Sequence, residues 1–446
     1  LTDPSAPSPA PSAPAPPDPA PEAPPRATSP LERRIAIALL LVGAVCAGMG
    51  QTIVFSVLPP LARDIGLTNF QVGAIFMISA TAWVVCGPRW GRMSDRKGRK
   101  PFILIGMIGF ALSMALFGAS IELGLAGVLS GLPLYALIVA MRSIYGLIGA
   151  ASPPAAQAYI ADRTSKRDRT AGIASFSAAF GFGAMLGPGF GAAASLIGPT
   201  APFYAVAALA ALMTLAVYLF LPERTGPTRR APPAKVRLTD PRLTPFFAFA
   251  LAFGIINAIP IQIIAFYFID RLGYSTASAP GFVSIGLTAG ALSSLVAQLV
   301  VVQRFRVPPA HLMRVAPALM VAGHAMIFLS DNLWPVVIGM AASGFGAGLA
   351  IPAATSAASL AVGPDEQGGA IGLANSFGAS GFIVSPVLGF ALYDLSPAAP
   401  FMFTAGAAFV LLGYARISRS VGAAVPPHTE DVPEEAVSES AAAPYR

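Results

Sequence analysis

Residues 91–101 read GRMSDRKGRKP, with five basic side chains and one acid in eleven positions of a chain that is only 11% charged. On either side, 70–89 and 101–121, the sequence is apolar and nearly free of charge. A helix needs about 20 mostly apolar residues to cross roughly 30 Å of hydrocarbon, so the stretch reads as a polar loop between two membrane spans. The same criterion applied outwards finds twelve spans: 35–58, 70–89, 101–121, 132–160, 170–196, 202–221, 245–269, 280–302, 312–329, 333–360, 369–392 and 400–416. Hydrophobic residues make up 55% of the chain and mean hydropathy is +0.68, too apolar for a water-soluble protein of 446 residues. The 44 Gly and 43 Pro are tolerated in membrane helices, where neighbours re-satisfy freed backbone groups. An all-α membrane protein follows.

A net charge of +7 raises nucleic acid as a partner, but the placement of the charges explains them without it. Of 28 Lys and Arg, 25 fall on the side shared with the N-terminus, and the opposite side holds Arg63 and Arg271. The positive-inside rule makes the crowded side cytoplasmic, with both termini there. Residues 1–32 are Pro/Ala-rich, with twelve prolines in the first thirty positions, and read with 417–446 as disordered tails. Cys46 and Cys86 lie inside spans without ligand spacing and read as packing residues. No metal cluster, nucleophile–base pair or Walker loop stands out, so neither an enzyme nor a cofactor is expected.

The chain repeats itself. A shift of 198 lays GLIGAASPPAA (146–156) on GFGAGLAIPAA (344–354), and GAMLGPGFG (183–191) on GFIVSPVLG (381–389). DIGLT (64–68) parallels RLGYS (271–275) at a shift of 207. Two six-helix bundles in the same orientation follow, 33–221 and 245–416, joined by the basic linker 222–244. Parallel repeats of this kind build transporters whose solute site lies at the midplane between the halves.

These residues resemble a known family. Gly91-Arg-Met-Ser-Asp95-Arg96-Lys-Gly98-Arg99 is similar to the loop signature of the major facilitator superfamily, and MRSIYG (141–146) to its fourth-helix signature, with Tyr145 where many members carry Gln. Gly183, Gly187, Pro188 and Gly191 resemble the fifth-helix pattern of its proton-coupled antiporters, and AYIADRT (158–164) resembles drug exporters of the tetracycline and multidrug type. The resemblance implies two pseudo-symmetric six-helix bundles working by alternating access, with efflux driven by the proton-motive force. It also suggests that Asp95 faces the N-terminus of the eleventh helix near Gly369, where a helix dipole favours an anion, and that Arg96 or Arg99 reaches Asp162. Together these residues are a candidate gating latch.

Arg142 is the one basic residue well inside a span. Such a residue costs about 2.5–3.5 kcal/mol at a helix centre, so it should face a cavity or a partner: a substrate anion, a neighbour whose protonation it switches, or backbone carbonyls. Gln51, Asn257, Gln262, Gln298 and Asn375 are further candidate solute contacts. Asn257 and Gln262 stand about 140° apart on a helix. The row from Gly183 to Gly191, bent at Pro188, reads equally as a hinge or seal and as plain packing between the halves. His324 reads as structural. Asp64, Glu122, Asp162, Asp270 and Asp394 all sit near span ends, so no buried acid is available as the simplest proton carrier. An anionic or neutral amphipathic solute held by Arg142 fits better than a cation. The reading is a monomeric inner-membrane exporter whose partners are a small-molecule solute, protons and the bilayer. An importer of an organic anion is the alternative, with a non-transporting sensor or assembly factor behind it.

Overall fold

Inside a bilayer, every backbone N–H and C=O must be paired within the protein, which leaves helices as the outcome for long apolar runs. A computed structural model of the protein describes residues 30–164, 169–222, 236–305, 307–363, 366–418 and 421, and the regular structure among them is helical. Residues 1–29, linker residues 223–235 and residues 422–446 lie outside the described residues. In order the helices are α1 (Pro30–Asp64), α2 (Asn69–Lys97), α3 (Lys100–Leu125), α4 (Gly131–Arg163), α5 (Arg169–Ser195) and α6 (Ala201–Phe220). The second six are α7 (Thr244–Asp270), α8 (Ala279–Val296, prolonged by a π-helical Ala297–Arg304), α9 (Pro309–Phe328), α10 (Leu333–Leu360), α11 (Gln367–Leu395) and α12 (Ala399–Ile417). Within α4, a tight 3-10 turn occupies Gly149–Ala151. Among the described residues, eleven helices are long and apolar enough to cross a membrane. The twelfth, α5, has 27 residues and must cross to connect α4 with α6.

Local chemistry sets the helix ends. Thr68 caps α2 by accepting from the Gln71 N–H, and the Gln71 side chain returns the bond to the Thr68 N–H. Proline opens α3, α6, α7, α8, α9 and α12, in the first turn where a missing N–H goes unnoticed. The chain leaves α1 through Gly66 and α7 through Gly273, both at φ +74°, a left-handed turn suited to glycine. Helix α1 begins at Pro30, slightly inside the segment read as a tail.

The two halves pack by one plan. Helix α1 lies on α5, α2 on α4 and α3 on α6, while α7 lies on α11, α8 on α10 and α9 on α12. Matched glycines make the same contacts: Gly146 sits against the Ser79 backbone and Gly344 against that of Gly290, Gly183 against Val45 and Gly381 against Gly254. Between the bundles, α2 meets α11 and α5 meets α8.

The apolar core divides unequally along the axis. At the end bearing Asp64, Asn69, Asp270 and Leu395, one buried cluster takes residues from both bundles, including Ile53, Leu58, Phe117, Ile263, Phe266 and Phe390. At the other, basic end there are two clusters, one confined to each bundle. The first contains Leu40, Phe102, Tyr159 and Leu221, the second Phe246, Met313, Ala353 and Leu411. The molecule is joined at one end and split at the other.

Candidate functional site

Helix α4 carries Arg142 into the first bundle with only 2% of its surface exposed. Its Nη2 donates to Gln51 Oε1 on α1 at 3.2 Å, and its guanidinium lies 4.7 Å from the Tyr145 ring centroid and 6.0 Å from that of Phe117. Nε and Nη1 are buried without a hydrogen-bond partner among the described residues. Two unused donors on a cation in a low-dielectric setting favour an anionic or strongly accepting group. Arg142 and Gln51 are thus brought together. Tyr145, noted in the sequence only as a departure from a pattern, supplies the aromatic face.

Asn257 and Asn375 line one cavity of about 200 Å³ in the second bundle, between α7, α10 and α11, with Thr355 and Phe382 beside them. Gln262 sits elsewhere: 1% exposed, it donates to Ser385 Oγ across the α7–α11 contact at 2.8 Å. That agrees with its 140° offset from Asn257. Gln298, in the π-helical end of α8, donates to Ser294 on its own helix and does not line the Asn257 cavity. His324 is buried in α9, away from Arg142 and the Asn257 cavity.

At the basic end, each bundle is tied to itself. Gly98, at φ +97°, ends α2 and turns the chain into α3. Arg99 then donates from Nε to Asp162 on α4 at 3.3 Å and from Nη1 to Ser94 at 2.9 Å. Gly91 lets α2 approach Pro154 of α4. In the second bundle, Arg242 bridges Asp240 and Glu366 and holds the Asp240 carboxyl below its ordinary value through their hydrogen bonds. The position expected for Asp95, beside the N-terminus of α11 near Gly369, is not the one observed. Asp95 pairs with Arg99 and is 58% exposed, and Arg96 points to solvent. Methyl groups placed on Gly368 and Gly372 of α11 would meet open space. The separation of the bundles at this end accounts for the difference.

The glycine row of α5 also corrects an expectation. Gly183, Gly187 and Gly191 face α1 inside their own bundle, where Gly187 lies against the Met49 backbone and the Thr52 hydroxyl. They do not form the contact between the halves. A different part of α5, with Met185, Leu186 and Phe190, shares a cavity with Thr288 of α8. Helix α5 runs on through Pro188.

The joined end has a polar clasp that no local sequence motif marks. Arg63, closing α1, donates to both carboxylate oxygens of Asp270, closing α7, at 2.8 and 2.6 Å. Tyr393 donates to Asp270 at 2.7 Å, Asn69 donates to Asp394 at 3.2 Å, and Arg63 lies 5.1 Å over the Phe266 ring. Arg63 and Asp270 are separated by 207 positions, the shift that relates DIGLT to RLGYS. Arg63-Asp64 therefore aligns with Asp270-Arg271, so the two repeats present opposite charges at one place. That inversion was the available signal.

Comparison with known proteins agrees with this architecture. The model of the Major Facilitator Superfamily matches residues 40–330 and 302–443. Multidrug resistance protein 1 of Bacillus subtilis (strain 168) is 28% identical over 384 residues, covering 83% of this chain and 93% of that protein. Quinolone resistance protein NorA of Staphylococcus aureus (strain MRSA252) is 25% identical over 390 residues, covering 84% and 94%. Among solved structures, a bacterial homologue of the human lysosomal transporter Spinster, in an inward-facing and occupied conformation, superposes with a TM-score of 0.68 at 14% identity, covering 87% of this chain and 97% of that one. With twelve helices in two like bundles and a family match along most of its length, the chain belongs to the Major Facilitator Superfamily, as a multi-pass membrane transporter and not an enzyme.

Proposed function

We propose that the chain exports small amphipathic compounds across the inner membrane, as a monomer, with the basic end and both termini in the cytoplasm and the proton-motive force as the driving term. The two bundles rock about the midplane. In the observed state the clasp at Arg63 and Asp270 closes the outer end, while the divided core leaves the cytoplasmic end apart. The return stroke would bring Asp95 towards α11 and separate Arg63 from Asp270. Export is supported by the relatives, which are named for multidrug and quinolone resistance.

The observation that carries the solute class is Arg142, a buried guanidinium with two donors to spare. An unpaired charge in this setting is costly, and an anionic or carbonyl-rich neutral solute would relieve it. Gln51 orients the guanidinium, Tyr145 and Phe117 offer ring faces, and Asn257 and Asn375 provide adaptable hydrogen bonding from the facing bundle. The test is retention of two fluorescent amphiphiles, one anionic and one cationic, in pump-deficient cells with and without a protonophore. Export predicts depletion of the anionic probe, restored by the protonophore and abolished by Arg142→Ala. Protonophore-sensitive accumulation of that probe would instead establish import.

A further inference from the structure

Two rings meet across the bundles, between the polar residues of the spans and the clasp. Phe55 of α1 stacks on Phe382 of α11 with centroids 6.3 Å apart and planes 24° from parallel. Phe55 is 4% exposed and is backed by Phe76 of α2, edge-on at 5.0 Å. Helix geometry fixes what lies beneath. Phe55 stands four residues beyond Gln51, about 6 Å further towards the joined end and about 40° around the helix. Phe382 stands seven residues beyond Asn375, about 10.5 Å further and about 20° around. The stack therefore roofs the helix faces that carry Gln51, with its partner Arg142, and Asn375.

Phe382 is the shared element. It is only half-buried, packing against the core cluster of the joined end while also lining the Asn257 cavity of about 200 Å³. One ring thus belongs both to the wall of the hollow and to a contact that holds the halves together. The repeat shows that packing does not require it. Along α1 and α7 the contacts match at a shift of 206, one short of the shift at the helix ends. Gly48 meets the Phe180 backbone as Gly254 meets that of Gly378, and Gly191 meets Ile53 as Gly389 meets Ile259. Phe55 then corresponds to Ile261, and Phe382 to Ala184 at the shift of 198. The equivalent crossing, α7 with α5, has a ring on neither side.

We infer that Phe382 is the positioning residue that couples occupancy of the Asn257 cavity to opening of the joined end. Solute filling the hollow takes over the Phe382 ring, Phe55 loses its stacking partner, and the roof parts. A ligand shifts a conformational equilibrium only by binding the two states unequally. A ring that cannot serve both partners at once supplies that inequality. The inference rests on the reading of this cavity as a solute site and adds the step from binding to movement.

Opening is read on the full chain in lipid nanodiscs, with Cys46→Ala and Cys86→Ala to remove the native thiols. Spin labels on Val128→Cys and Leu329→Cys, exposed at the joined ends of the first and second bundles, report the opened fraction by pulsed electron resonance. Phe55→Leu and Phe382→Leu should each raise that fraction by about 2- to 12-fold, the worth of one stacked ring pair. The double variant should match either single within about 2-fold, since both remove the same contact. Additive effects overturn the pair. Gly378→Leu imitates an occupant without any ligand. Gly378 lines the hollow, and a methyl there meets only the Ala250 carbonyl, at 3.7 Å. This variant should raise the opened fraction by at least about 2-fold, and by less than about 1.5-fold when added to Phe382→Leu. Thr355→Leu, on the α10 wall of the same hollow, serves if Gly378→Leu does not fold. No change in the folded cavity variant overturns the coupling. So does an effect that survives Phe382→Leu, as it would if the ring were merely structural. The expected pattern in a chain that exports nothing from cells would overturn the export reading and leave the coupling standing.

Discussion

Arg142 in α4 and Met340 in α10 occupy the same place in the repeat, 198 positions apart and four residues before the matched Gly146 and Gly344. Both are buried. Met340 packs against Gly286 of α8 as an ordinary apolar side chain, whereas Arg142 holds a charge, one hydrogen bond to Gln51 and two idle donors. The glycines around them make equivalent contacts in both halves. The repeat therefore supplies the scaffold twice and the chemistry once, and substitutions should divide along that line.

The largest effects should fall where the bundles agree. A side chain at Gly183 would enter the Val45 backbone, and one at Gly381 the backbone of Gly254. Gly183→Leu and Gly381→Leu should each reduce folded protein in the membrane by more than about 10-fold, since overpacking of this kind costs roughly 1–3 kcal/mol or more. Gly413→Leu, placed in open space, should leave accumulation within about 2-fold. Fluorescence-detected size exclusion would read all three. A strong loss in only one of the first two would show that the halves do not share a scaffold.

Where the bundles differ, the response should be one-sided. Arg142→Met copies the second half into the first and should lower transport of an anionic amphiphile by about 10- to 100-fold, the range expected when a charge-assisted contact of about 1.5–3 kcal/mol is lost. Met340→Leu should stay within about 3-fold, as volume-conserving apolar exchanges do. Equal losses at both positions would reduce Arg142 to a packing role.

The clasp provides a finer test, because its partners are the same repeat position with inverted charge. Arg63→Asp sets two carboxylates against each other and should shift molecules away from the clasped state by about 5- to 30-fold, equivalent to roughly 1–2 kcal/mol. Adding Asp270→Arg to that variant should restore most of the clasped population, read by reactivity of a cysteine introduced beside the clasp. Failure of the double variant to recover would assign Arg63 a role other than pairing. The smallest effect is expected at Asp95, which is exposed and paired with Arg99 in this state. Asp95→Asn should leave insertion unchanged and slow turnover by about 3-fold, because an exposed pair is worth only about 0.2–1 kcal/mol. Turnover equal to wild type would remove Asp95 from the latch.

Much of this was readable from residue order alone. Twelve apolar runs and the doubled glycine–proline stretches specify the fold, because membrane backbones have so few alternatives. Arg142 was conspicuous because a lone cation in a span demands an explanation. What escaped notice depends on juxtaposition. Gln51 and Arg142 lie 91 positions apart, and nothing local pairs them. Gln262 looked like a cavity residue but serves the α7–α11 contact, a distinction set by helix rotation. The partner expected for Asp95 suits one conformation, whereas the structure holds another. Arg63 and Asp270 each lie at the end of a span, and only the alignment of the repeats sets one against the other.

The unequal division of the core carries a consequence for amide exchange with heavy water. Protection follows cooperative opening of packed units, and the joined end is one unit drawing on α1, α7 and α11. Its amides should become labelled together, in both halves, at one slow rate. At the basic end the units are separate, so the inner turns of α1, α3 and α4 should follow one time course and those of α7, α9 and α10 another. Locking the halves together at that end would merge the two clocks into one.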